Sequence, residues 1–126
     1  MTIIDIHAHV IPSALVKAIR DGVAPDGIRL EERSGTPWIV HRQGYQYPLL
    51  DEFHDVETRI AAMDSSGVDI TVLSIAPPMF LYWLSAEDGV EAATVVNDAI
   101  AEMVQARPAR FAGLASLPMQ QPDAAV

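Results

Sequence analysis

The sequence has 126 residues, half of them hydrophobic, with ordinary Gly and Pro content, which describes one globular unit with a modest core rather than a disordered tail. A formal net charge of −9 leaves no basic surface to neutralise phosphates and argues against nucleic acid as a partner. The absence of cysteine excludes disulfides, thiolate nucleophiles and Cys-type zinc sites, so any metal chemistry must use His and carboxylates.

Residues 2–10 alternate: Ile4, Ile6, Ala8 and Val10 share one parity, and Asp5, His7 and His9 the other. That period is a strand's, and it sends both imidazoles to one face, about 6.6 Å apart along the chain. Asp5, with its parity, is expected one layer deeper, as a partner of a ring N–H or a structural hydrogen-bonding group. The same polar residues interrupt the apolar run, so it does not read as a signal peptide. No run approaches the roughly 18 apolar residues of a membrane span. A cytoplasmic protein without a membrane partner is expected.

Pro12 opens a short helix, with Ala14, Leu15, Ala18 and Ile19 as its stripe and Gly22 as its stop. From residue 24 to 50 short strand-like runs break at Ser34-Gly35 and Gln43-Gly44, which predicts a small hairpin or meander inserted on a larger scaffold. Asp55 can cap a helix running to about Ser66 and ended by Gly67. "VDITVLSIAP" then reads as a strand buried on both faces, as in a parallel sheet. Ser85 and Asp88 form a capping pair for a long helix that stops before Pro108. "RFAGLASLP", residues 110–118, is expected to be a third strand, and a last helix is expected to begin around Pro122.

This order predicts βαβ units and a parallel sheet. Three strands make a poor finished sheet, so residues 1–126 read as a single partial domain, the first part of a larger α/β design.

Two imidazoles on one strand face can chelate a divalent ion. A half-exposed strand with its polar parity in water is the plainer alternative. Placement favours ligation, because the pair lies at the C-terminal end of a first parallel strand, where α/β sheets and barrels carry their sites.

"IDIHAHVIP", "RIAAMDSSGVDITVLSIAPPMF", "VVNDAIAEMVQARPARF" and "FAGLASLPMQQPDAAV" together cover most of the chain. In these stretches the sequence resembles the amidohydrolase superfamily, specifically its aminocarboxymuconate-semialdehyde-decarboxylase-like branch, amidohydrolase 2. The resemblance implies the N-terminal part, about three β/α units, of a TIM (β/α)8 barrel. It implies His7 and His9 as strand-one ligands of a divalent metal, most often zinc, and a homodimer when complete. Family members run to about 300 residues, near the size of a (β/α)8 barrel. The remaining ligand and catalytic residues are therefore expected beyond Val126.

Substrate contacts are expected from Met79, Phe80 and Trp83, with Tyr82, in the "PPMFLYW" loop at the barrel rim. A packing patch or a subunit contact is the alternative for this loop. Where the family's decarboxylase has an arginine that grips a substrate carboxylate, the aligned residue is Tyr47, with Arg42 five residues earlier. A phenol donates one hydrogen bond and forms no bidentate charged pair, which puts the family's own substrate in doubt. Arg59 is expected in a structural ion pair, and Asn97 and Asp98 in helix-face packing. The implied function is metal-dependent decarboxylation of a small carboxylated molecule. Hydrolysis of a C–N, ester or lactone bond, or an inactive truncated fragment, are the alternatives.

Overall fold

Alternating Ile and polar residues place Ile4–Val10 in strand β1, at the edge of a parallel sheet whose order is β1-β5-β6. The computed structural model describes residues 1–24 and 27–125. Residues 25–26 of the expected insertion, and Val126, lie outside the described residues.

Helix α1 (Ser13–Arg20) follows β1 and leads into three antiparallel strands, β2 (Ile28–Arg33), β3 (Thr36–His41) and β4 (Gln46–Pro48). These form a separate sheet of order β2-β3-β4, within the expected meander. Helix α2 (Val56–Ser66) begins where the Asp55 carboxylate accepts the Thr58 N–H at 2.7 Å, and ends at Gly67 in the left-handed region, φ 71°.

Strand β5 (Ile70–Ile75) leads through a loop to α3 (Ala86–Ala106), capped by Ser85, whose hydroxyl oxygen accepts the Asp88 N–H at 3.1 Å. Strand β6 (Phe111–Gly113) closes the described sheet. The expected strand–helix order is present, with α2 and α3 as the crossovers.

Thr71, Leu73 and Ile75 are all at most 2% exposed and share one face of β5. That face packs on the helices, because Gly113, registered with Leu73, sits against Ile100 of α3. Val10, Phe111, Met63, Val96, Ile100 and Met103 join them in the core. Each such side chain contributes about 1.5–3 kcal/mol by leaving water.

Two expectations need correction. The third strand is shorter than 110–118, because Leu114 makes the last ladder bond, to Leu73. The chain then turns to the Asn97 side chain, which donates to the Ser116 carbonyl at 2.9 Å and accepts its N–H at 2.7 Å. Asn97 thus clamps backbone rather than merely packing. The expected last helix is a single 3-10 turn, Pro122–Ala124.

Candidate metal centre

Strand β1 carries one more residue than its partner in the middle of the ladder. Asp5 pairs with Thr71 and Ala8 with Leu73, so three steps on β1 match two on β5. A β-bulge of this kind turns the side chains on its two sides to opposite faces relative to simple alternation. Asp5 therefore faces the helices with Thr71, whereas His9, registered with Ser74, faces the other side. The expectation that Asp5 shares the face of the histidines is corrected. Its carboxylate instead accepts the backbone N–H of His7 at 3.0 Å, replacing a ladder bond that the bulge removes.

His7 and His9 meet on β1, as the alternation of residues 4–10 leads one to expect. Their Nε2 atoms are 3.2 Å apart, and the rings meet edge to face, with centroids at 4.9 Å and planes at 78°. Two nitrogens each 2.0–2.1 Å from one zinc ion at a tetrahedral angle stand about 3.3 Å apart. The pair fits a shared divalent cation. On the far side of the His9 ring, Nδ1 lies 3.1 Å from the Ser74 hydroxyl, which itself donates to the Ala8 carbonyl at 3.4 Å. With its proton directed there, the Ser74 oxygen accepts the His9 Nδ1–H. This arrangement suits the tautomer that leaves a lone pair on Nε2, as a metal ligand requires. Among the described residues no third His, Asp or Glu joins the two to complete a metal-binding group.

The loop after β5 leaves from the same end of the sheet as His9, since the strands are parallel and the His9–Ser74 register lies one residue before Ile75. Its residues divide sharply. Met79 is 2% exposed and part of the core, so its expected contact with a substrate is corrected: the side chain is spent on packing. Phe80 and Tyr82 keep surface and stack on each other, with centroids at 5.3 Å and planes 12° apart. Between them Leu81 is buried at φ 56°, a strained value for a branched side chain.

Trp83 turns towards the antiparallel sheet and meets the His41 ring edge-on at 5.9 Å. Tyr47 meets the same imidazole from the hairpin, its hydroxyl 3.0 Å from Nε2. Burial pushes the Tyr47 phenol up from its ordinary range and the His41 imidazole down, so both stay neutral near pH 7. Sequence reasoning passed over His41. The hairpin spacing around Gly44 was the only signal that could pair it with Tyr47, and nothing local linked it to Trp83.

A parallel β/α sheet with a histidine pair on its first strand, beside the C-terminal rim, has the architecture expected of the first part of a TIM barrel. No protein-family model matches the chain. It is 32% identical to the 2-amino-3-carboxymuconate-6-semialdehyde decarboxylase of Dictyostelium discoideum over 98% of its own length and 34% of the relative's.

Among solved structures, Metarhizium anisopliae IDCase matches with TM-score 0.80 at 21% identity, over 98% of this chain and 37% of that one. The Polaromonas dihydroxybenzoic acid decarboxylase, with bound manganese and 2-nitroresorcinol, matches with TM-score 0.65 at 25% identity, over 99% and 33%. The chain is similar to an N-terminal portion of these decarboxylases. It spans about a third of the length of the proteins it matches.

Proposed function

We propose that this chain is the metal-binding N-terminal portion of a decarboxylase acting on a small carboxylated molecule. The observation that carries the reading is the 3.2 Å approach of the His7 and His9 Nε2 atoms, with Ser74 holding the other nitrogen of His9. His7 and His9 would hold the ion. When bound, a divalent cation supplies Lewis-acid polarisation of a substrate oxygen or lowers the pKa of a bound water towards about 7. Zinc suits imidazole nitrogen, and manganese, present in the Polaromonas enzyme, is the ion to test beside it.

Phe80, Tyr82 and Trp83 supply an aromatic wall at the rim. Tyr47, kept neutral, offers a hydrogen bond where an arginine would offer a charge, which favours an aromatic acid over a dicarboxylate. The proton is handled by residues beyond these 126. The complete enzyme is read as a cytoplasmic homodimer without nucleic-acid or membrane partners. No helix among the described residues is long and apolar enough to cross a membrane.

The test follows metal content and CO2 release with 2,6-dihydroxybenzoate and 2-amino-3-carboxymuconate semialdehyde. The longer protein should hold near-stoichiometric metal and release CO2, and His7→Gln should lose both. Cleavage of an amide or lactone without CO2 release would transfer the reading to a hydrolase. The 126-residue chain alone, with two ligands against the usual three, should bind metal loosely and release no CO2.

A further inference from the structure

Arg59, on α2, reaches β1 from the helix layer. Its Nη2 donates to the carbonyl oxygen of His9 at 2.6 Å. Its Nε is buried without a partner, and no carboxylate lies within ion-pair distance among the described residues, so the expected structural ion pair is absent. Glu52 and Asp5 act on it only from farther off, while burial pulls its pKa down.

A partly buried guanidinium with no carboxylate in ion-pair contact is costly. Packing alone could be served by an uncharged side chain of similar size. What the charge adds is one short, charge-assisted bond to the backbone of a candidate ligand. That bond falls just past the bulge between Asp5 and Ala8, where the ladder to β5 is interrupted and ordinary strand pairing holds the chain least well.

We propose that Arg59 is a positioning residue for His9, fixing the end of β1 so that the His9 Nε2 meets that of His7. This rests on the reading of His7 and His9 as a ligand pair. The bond to the His9 carbonyl and the bond from Ser74 to the His9 ring act on one residue from two elements, α2 and β5. Together they restrain both its backbone and its ring plane.

The experiment uses Arg59→Met and Arg59→Lys, with His9→Gln as control, and two readouts. In metal-free protein, long-range 1H–15N spectra should show His9 as a single Nδ1–H tautomer in the parent and as a mixture in Arg59→Met. Unchanged His9 ring signals in Arg59→Met overturn the proposal. In zinc and manganese titrations, Arg59→Met should bind about tenfold more weakly than the parent, the scale of a lost ligand-orienting partner. Arg59→Lys, with the charge but a shorter donor, should be about threefold weaker. Should Arg59→Met fail to fold, an Arg59→Lys protein identical to the parent in both readouts overturns it. Equal binding by the parent and His9→Gln defeats the ligand reading instead, and the metal-free spectra still decide the role of Arg59.

Discussion

Ser74 on β5 stands 3.1 Å from the Nδ1 atom of His9 on β1, across 65 residues of sequence. A serine on a strand whose other residues, save Thr71, are apolar thereby favours one imidazole nitrogen as the ligand. Ser74→Ala removes the acceptor of the Nδ1–H and frees the ring to change tautomer. Metal affinity should fall about tenfold, in keeping with ligand-orienting partners elsewhere, while the thermal midpoint of the metal-free protein moves little. Affinity by chelator competition checks this, and an unchanged value refutes the assignment.

The His7 and His9 Nε2 atoms, 3.2 Å apart, offer two ligands to one ion. His7→Gln and His9→Gln should each remove most of the metal binding. Chelator competition with each variant is sufficient, and binding that persists in either would place the ion elsewhere.

His41 is 2% exposed, with Nδ1 unpartnered, and burial holds its pKa below the ordinary 6.5. Its stabilising balance is intact above about 6.5, where folded and unfolded chains both carry it neutral. As pH falls below that value the unfolded chain gains a proton that the folded one resists, so stability is lost on the way down to the folded pKa. His41→Phe should flatten this acid-side slope. Thermal midpoints between pH 5 and 8 for the two proteins measure it, and parallel curves would exclude His41 as the source.

Gly113 brings β6 close against Ile100 and Val104 of α3. A Cβ built there comes within 2.7 Å of the Ile100 side chain, so either the helix or Ile100 must move. Gly113→Ala should cost about 1–3 kcal/mol, the usual penalty of overpacking. Urea denaturation provides the value. A Gly113→Ala protein as stable as the parent would mean that α3 is free to shift.

Among the described residues, β1 and β6 each pair on one side only, and Ile4, Ile6, Leu114 and Leu117 lie exposed near these edges. Open edges with apolar neighbours invite pairing. The isolated 126-residue chain should self-associate as concentration rises, and Leu114→Lys should reduce this. Sedimentation velocity distinguishes the outcomes. A cooperatively unfolding monomer at all concentrations would show that these edges are protected as they stand.

Chain neighbours alone determined much of this protein. The alternation of residues 4–10 made a strand, Asp55 and Ser85 marked helix starts, Gly67 marked a stop, and the order of elements made the sheet parallel. Each of these depends on contacts within a few residues. Only the tertiary structure decided the site. The bulge in β1 exists as a mismatch with β5, and it sent Asp5 to the helices, away from the face of His9. Arg59 and His9 are 50 residues apart, and Trp83 reaches His41 across the join between two sheets. Periodicity tells which face a residue takes in an unbroken strand. It carries no information about register or about what packs from another element, because those are fixed by the combined burial and hydrogen bonding of distant segments.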